Sequence, residues 1–321
     1  MDKVVELITK SSRPCWTGSI AKKGPMTTTA QKFLLALSLG ASACSAQTLS
    51  PKWEELTSPD FAKAIQKADG VCMLPMGSME KFGPSGPVGT NSYLVDALAA
   101  EAAKQEYAVI FPEYFVAGTN DVANLPGAIA YSEHLQYEML EETTREMARN
   151  GCKKILLVNG HSGNNSMISQ FLANDLNKPH DYDYVVYSVY GSNFKPGPNM
   201  PGMTDAMKAS KPGADGHGGE ERIAVLLAYR PDLVHLDRAH DESGAAQHLN
   251  LPNGVTVGIS RKIELPTGYE GDASGATAVR GKALMEYATN RLVEVLKAIK
   301  ADEVTPRLQR QFFEEKQNPT K

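Results

Sequence analysis

The sequence predicts an α/β protein of three layers, in which a mainly parallel sheet is flanked by helices. From about residue 52 onward, short apolar runs alternate with amphipathic helical stretches, and this alternation is typical of parallel sheets covered by helices. Hydrophobic residues make up 42% of the 321 residues, which is enough for a sizeable core. No internal repeat is visible.

Four apolar runs predict the strands. They are rich in valine, isoleucine and leucine, as expected for strands that are buried on both faces, and they cover residues 71–75, 109–112, 154–158 and 184–189.

Three stretches predict helices. One covers residues 135–150 and is closed by Gly151 in the position that favours a left-handed C-cap. A second covers 222–229, and a third covers 281–300 with one apolar stripe, which contains Leu284, Ala288, Leu292, Val295, Leu296 and Ile299. Residues 195–213 are rich in proline, glycine and methionine and predict a long loop of the kind that borders active sites.

The N-terminal region has the pattern of an export signal. Lys32 precedes the apolar run 33–41, and the small residues 42–46 follow it. This run is too short to span a bilayer. We therefore expect initiation at Met26, cleavage after Ala43 or Ala46, and a periplasmic or extracellular protein. Cleavage after Ala43 would make Cys44 a lipidation site.

The predicted organisation has three parts. Residues 1–46 are an upstream extension with the signal peptide, 47–302 are the α/β domain, and 303–321 are a polar C-terminal tail. Two cysteines fall in the domain, Cys72 and Cys152. Each borders an apolar run, where a free cysteine packs as a small core residue, and a disulfide between them is the alternative in an oxidising compartment.

The overall charge argues against one class of partner. There are 33 basic and 37 acidic residues, which leaves a formal net charge of −4. Binding to a phosphate backbone needs a basic excess, so we expect no nucleic-acid partner, and no segment predicts a membrane span.

Polar, glycine-rich clusters follow the predicted strands. The first lies at 77–91 and contains Glu80, the second at 159–166 contains His161, and the third at 215–221 contains His217 and Glu220. Ligands of parallel sheets bind beyond the carboxyl ends of the strands, and imidazoles with carboxylates can hold a divalent metal that polarises a carbonyl group. Each group alone is more often structural, but together they predict a site.

The same clusters resemble those of the creatininase (creatinine amidohydrolase) family. The family turn Gly-Ser/Thr-x-Glu-x-His-Gly-Pro-His ending in Gly-Thr-Asp resembles residues 77–91, and its Asp-x-His-Ala-Gly-Glu block resembles 215–220. Further similar blocks are 125–129, 157–164 and 271–273. The resemblance implies a layered, commonly hexameric α/β hydrolase with two divalent metals that cleaves amide C–N bonds.

Several family donors are replaced in this sequence. Phe82 stands at a family histidine, Asn91 at the bridging aspartate and Arg222 at a family glutamate, and Gly163 occupies a position where creatininase has a glutamate. Phenylalanine has no lone pair, and a neutral amide does not balance two dications. The resemblance therefore implies at most one metal (Zn, Mn or Fe), with Glu80, His161, Glu220 and Asn91 as ligands.

The remaining roles complete two hypotheses. In the first, the protein is an amidohydrolase acting on a small-molecule amide, with His217 and Glu220 as catalytic groups, His217 carrying protons. Asn164, Ser166 and Lys81 would contact the substrate. In the second, the chain is a metal-free pseudoenzyme or small-molecule-binding protein with the same fold. By family analogy we expect a homo-oligomer, a hexamer, in either case.

Overall fold

The computed structural model describes residues 49–320, apart from 178, 192, 198–200, 246 and 256. All of them belong to one unit, Thr48–Lys321. The predicted export signal lies outside the described residues. No helix among the described residues is long and apolar enough to cross a bilayer.

The sheet has four parallel strands in the order β2-β1-β3-β4. In chain order the elements are α1 (Ser58–Lys67), β1 (Val71–Met76), α2 (Thr90–Gln105), β2 (Val109–Ile110), α3 (Glu133–Arg149), β3 (Lys154–Asn159), α4 (Asn165–Asn174), β4 (Val185–Tyr190), α5 (Glu220–Tyr229), α6 (Ser260–Glu264), α7 (Ala278–Ala301) and α8 (Val304–Gln317). The four predicted strands and three predicted helices are confirmed. Gly151 follows α3 with a φ of 102°, as the C-cap prediction requires.

Alternate residues of the central strands pack into two separate cores. Met73 and Leu156 face a core shared with α2, α5 and α7, whereas Leu74 and Ile155 face a core shared with α1, α3 and α4. This alternation is the consequence of side chains pointing to opposite faces of a strand. The result is the predicted three-layer arrangement.

Helices α5 and α7 lie unusually close together. A Cβ atom added at Gly281 in α7 would overlap the backbone carbonyl of Ala224 in α5, so the crossing depends on glycine. The next residue toward the N-terminus, Arg280, is buried and donates two hydrogen bonds to Asp215, at 2.9 and 3.0 Å. This ion pair fixes the loop that leads into α5.

The cysteine pair forms a disulfide. Cys72 lies in β1 and Cys152 just before β3, with their Cα atoms 5.7 Å apart, and both residues are buried. The sequence left open whether Cys72 and Cys152 are free core residues or form a disulfide. The structure has the disulfide.

The C-terminal segment is helical. Residues 304–317, which lie in the predicted polar tail, form α8. Phe313 is buried and packs edge-on against His180 with ring centroids 5.9 Å apart, and Gln309 donates a 2.7 Å hydrogen bond to the carbonyl of Tyr184. Phe313 is the buried residue of this helix, and hydrogen bonds to backbone carbonyls attach the helix to the domain.

Candidate active site

Glu80 occupies the centre of the site, just beyond the carboxyl end of β1. Its side chain is buried, and its Oε1 accepts hydrogen bonds from Ser78 at 2.9 Å and from the Asn91 amide at 2.7 Å. Burial alone would raise the pKa of Glu80, but the hydrogen bond and charge of His161 outweigh it and lower this pKa to about 2. Glu80 is therefore an ionised carboxylate in a buried position.

His161 neutralises that carboxylate. It follows β3, and its Nδ1 lies 2.9 Å from Glu80 Oε1 while its Nε2 lies 3.1 Å from the carbonyl oxygen of Gly118. Although burial opposes the charged form, the contact with Glu80 raises the pKa of His161. Both ring nitrogens lie beside acceptor oxygens, and this arrangement suits the protonated ring that pairs with Glu80.

The loop beside His161 is closely packed. A Cβ atom added at Gly163 would overlap both the carbonyl oxygen of Gly118 and the ring of His161. Glycine is therefore required at this position for the backbone of residue 118 to reach His161.

Asn91 bridges the carboxylate of Glu80 and the guanidinium of Arg222. Its amide nitrogen donates to Glu80 and to Ser78, at 2.7 and 2.9 Å, and its Oδ1 accepts a 3.2 Å hydrogen bond from Arg222 Nη1. Arg222 comes from the first turn of α5. Its guanidinium also donates to the carbonyl of Gly160 and to the hydroxyl of Tyr190, each at 3.4 Å.

His217 forms the opposite wall. Its Nε2 lies 3.1 Å from the carbonyl oxygen of Lys81 and 3.8 Å from Glu80 Oε2, and its ring packs on Phe82 with centroids 4.6 Å apart. Burial lowers the pKa of His217. With its Nε2 proton directed at a carbonyl oxygen, the neutral ring keeps its lone pair on Nδ1.

These groups surround a cleft of about 200 Å³. Six separate segments line it, which is typical of sites at the carboxyl edge of a parallel sheet. The lining residues are Phe82, Asn91, His161, Ser162, Gly216, His217, Arg222 and Arg261. The structure thus brings together the predicted Glu80, Asn91, His161 and His217.

Glu220, predicted as a ligand and catalytic group, lies outside the cleft lining in this structure. Its carboxylate accepts hydrogen bonds from the backbone and hydroxyl of Ser210, the latter at 2.6 Å, and lies 3.2 Å from Arg280 Nη1. These partners anchor the start of α5 to the preceding loop and to α7. The sequence did not reveal them, because Arg280 follows Glu220 by about 60 residues.

The three predicted substrate contacts also lie outside the cleft lining. Asn164 is fully buried, accepts from the Gly118 amide at 3.0 Å and donates to Asn159 at 3.3 Å, so it joins two loops. Ser166 is exposed on α4. Lys81 forms a 2.6 Å ion pair with Glu242. Only the backbone carbonyl of Lys81 reaches a site residue, His217.

Two cationic residues were missed as site groups. Arg222 lies one turn into a helix that follows a predicted cluster, and that position was the available signal. Arg261 lies in the short helix α6, in a stretch without a clear apolar period.

The donor set does not fit the predicted single-metal site. Among residues 49–320, less the gaps given above, no group of three His, Cys, Asp or Glu side chains is arranged to hold a metal ion. Asn91 turns its amide nitrogen toward Glu80 and its oxygen toward Arg222, and Glu220 pairs with Arg280. Of the four predicted ligands, Glu80 and His161 pair with each other.

The fold and cleft define a class: three-layer α/β proteins with a polar site beyond the carboxyl ends of parallel strands. Within that class, residues 54–296 match the family model described as creatinine amidohydrolase. The chain belongs to the creatininase family.

Several known proteins are distant relatives of this chain. A creatinine amidohydrolase of Pseudomonas putida is 26% identical over 257 residues, covering 76% of this chain and 95% of that protein. A mycofactocin precursor peptide peptidase of Mycolicibacterium smegmatis is 25% identical over 236 residues, covering 72% and 85%. A solved structure of manganese creatininase superposes with a TM-score of 0.66 at 22% identity, over 79% of this chain and all of that chain. Another solved relative has its metal site in a Zn-Zn form.

Proposed function

We propose that this creatininase-family hydrolase cleaves a C–N amide bond of a small molecule in the cleft above Glu80. The observation that supports the proposal is the placement of His217 and Arg222 in the lining of one cleft. A neutral imidazole can take up a proton, and a guanidinium can stabilise the oxygen charge that develops during acyl transfer. The relatives named amidohydrolase and peptidase also cleave C–N bonds.

The reaction requires one proton to move twice. Nδ1 of His217 takes a proton from water, and the resulting hydroxide attacks the amide carbon, which places a negative charge on the carbonyl oxygen beside Arg222. The C–N bond then breaks as His217 returns the proton to the leaving nitrogen. The products are an acid and an amine. Glu80 and His161 form an ion pair that holds the floor of the cleft.

This proposal leaves out the predicted zinc, manganese or iron ion. The reason is the chemistry of the donors: Phe82 has no donor atom, Glu220 is held by Arg280, and Asn91 accepts from a guanidinium. No step is assigned to a metal.

A second candidate function is small-molecule binding without turnover. It is favoured by the packing of Phe82 on His217, because the contact buries part of the ring that would have to exchange protons. The two functions share one cleft and differ in whether a bound amide is cleaved.

The test is an amine-release assay on the purified full chain after dialysis against EDTA, with a panel of N-acetyl amino acids and their amides. We expect turnover to persist in chelator, and His217→Gln to lower kcat by about 10²–10⁴-fold with little change in KM. His134→Gln, on an exposed face of α3, is the matched control and should be unchanged.

Other outcomes separate the alternatives. Turnover that appears only after zinc or manganese is added would refute the metal-free step. Equal kcat in the wild type and His217→Gln would refute the role of His217. Binding of the panel without any amine release would establish the second candidate function.

A further inference from the structure

The cleft lining is rich in side chains that carry or can take up positive charge. Its eight residues include two arginines and two histidines but no aspartate or glutamate. The nearby carboxylate, Glu80, lies beneath the lining in contact with His161. A lining of this kind attracts anions and repels free cations.

Arg222 supplies the first fixed charge. Three of its contacts, with Asn91, Gly160 and Tyr190, use an amide oxygen, a backbone carbonyl and a phenol oxygen. These three contacts orient the guanidinium, and an arginine keeps its charge at any physiological pH.

Arg261 supplies the second. It lies in α6, and its Nε is 3.5 Å from Asp121 Oδ2, with both side chains more than one third exposed. An ion pair that is so exposed contributes little, so Arg261 can exchange this partner for a ligand anion at small cost.

We propose that the cleft binds the carboxylate of its ligand through Arg222 and Arg261, and that the substrate is therefore a small amide that carries a carboxylate. The substrate class rests on the proposed function, whereas carboxylate binding does not. Arginine suits this task because its planar fork matches the two oxygens of a carboxylate. A volume of about 200 Å³ lies below the roughly 300 Å³ at which drug-sized ligand pockets begin, so the ligand is small.

The packed rings of Phe82 and His217 form the remaining wall. A ligand of this class places its acid between the arginines and its acyl carbon near His217. The guanidinium of Arg222, at a position where the resemblance expects a carboxylate ligand, thus provides positive charge that a metal provides in relatives.

Calorimetric titration with levulinate tests the proposal without turnover, because this ketone replaces the amide nitrogen of N-acetylglycine by carbon. The neutral partner probe is 4-oxopentanamide. We expect levulinate to bind at least tenfold more tightly than the amide, with an affinity that falls as NaCl is raised.

Variants locate the binding. Arg261→Gln, on the exposed side, should weaken levulinate at least fivefold and leave 4-oxopentanamide unchanged. Arg222→Gln should weaken levulinate at least fivefold more than it weakens 4-oxopentanamide. Arg222→Lys keeps the charge and covers the case that Arg222→Gln does not fold. Arg310→Gln, in an exposed pair with Asp183 on α8, is the control and should bind as the wild type does.

Equal affinities for the two probes, no binding of either, or levulinate affinity that survives Arg261→Gln and Arg222→Gln would overturn the proposal. Levulinate binding without hydrolysis of N-acetylglycine in the amine-release assay would contradict the proposed function only. Hydrolysis without preference for the acid would contradict this inference only.

Discussion

Asn91 shows how one amide can replace a carboxylate in a buried polar network. The nitrogen faces the anion Glu80 and the oxygen faces the cation Arg222, so the dipole is aligned with both charges. An aspartate at this position would place a second negative charge beside Glu80, which is costly in a buried site. The orientation of the amide is set by these neighbours.

Glu113 is a half-buried carboxyl group that contacts Gly77, the residue after β1. Its Oε1 accepts a 3.1 Å hydrogen bond from the backbone of Gly77. Burial raises the pKa of Glu113 to about 7, so below that pH the folded protein holds this group as a neutral acid.

A pH dependence of stability follows. The unfolded chain ionises this carboxyl near its ordinary pKa of 4.5, so from there to pH 7 the folded state binds more protons and the free energy of unfolding falls as pH rises. The loss is roughly 3 kcal/mol and is complete about one pH unit above 7. Glu113→Gln should remove it, which urea unfolding at pH 5 and pH 8 would measure.

The comparison uses Glu138→Gln, an exposed position on α3, as control. We expect Glu113→Gln to gain stability relative to the wild type at pH 8 and little at pH 5. A gain that is the same at both pH values would mean that Glu113 is ionised throughout.

At the scale of elements, the sequence predicts strands and helices whose buried residues form a regular pattern. It misses helices whose buried residues do not. The strands are visible because each is an apolar run. Helix α2 was not predicted because residues on most of its faces are buried, among them the polar Thr90, Asn91 and Ser92 at its start, so it has no clear polar stripe. Helix α8 was missed because its one buried apolar residue is Phe313.

The disulfide that links β1 to the start of β3 should have a measurable effect on the free energy of unfolding. The disulfide joins residues 80 positions apart, and a loop of this length corresponds to roughly 4–5 kcal/mol of stabilisation through the unfolded state. Cys72→Ala/Cys152→Ala should lower the free energy of unfolding by about that amount. In the unfolded, unreduced wild-type protein, neither Cys72 nor Cys152 should react with a thiol reagent.

Denaturant unfolding in reducing buffer is the control, because it should bring the wild type close to the double variant. Two reactive thiols from Cys72 and Cys152 in unreduced protein would contradict the crosslink. An unchanged midpoint in the double variant would show that it contributes nothing to stability.

At the scale of the whole molecule, the position of the site could be predicted from the sequence. Which side chains form ion pairs and hydrogen bonds with each other could not. Strand ends bring Glu80, His161 and His217 together because parallel strands share one carboxyl edge. The partners of Glu220 come from the loop at Ser210 and from Arg280 in α7, and no local pattern relates them. Arg261, which reaches the cleft from α6, was missed because no local pattern relates it to the strand ends either.

The buried crosslink also agrees with the proposal that the chain is exported, since disulfides persist in oxidising compartments. We expect N-terminal sequencing of the protein from its natural host to begin at Cys44 or Gln47. Leu35→Asp, which interrupts the apolar run, should retain the precursor inside the cell. A mature chain that still contains Phe33 would contradict export by this signal.

The contact of Gly163 with Gly118 and His161 has a consequence for how this protein can evolve. A glutamate at residue 163 needs space that the Gly118 carbonyl and the His161 ring now fill, so it would first require the loop at 118 to retreat. A donor at Asn91 is likewise opposed while Arg222 and Glu80 hold the amide in place. A single substitution toward the donor set that the family resemblance describes therefore meets a steric or electrostatic cost before it supplies a ligand, so new donors at these positions would require the surrounding loop and amide contacts to change with them.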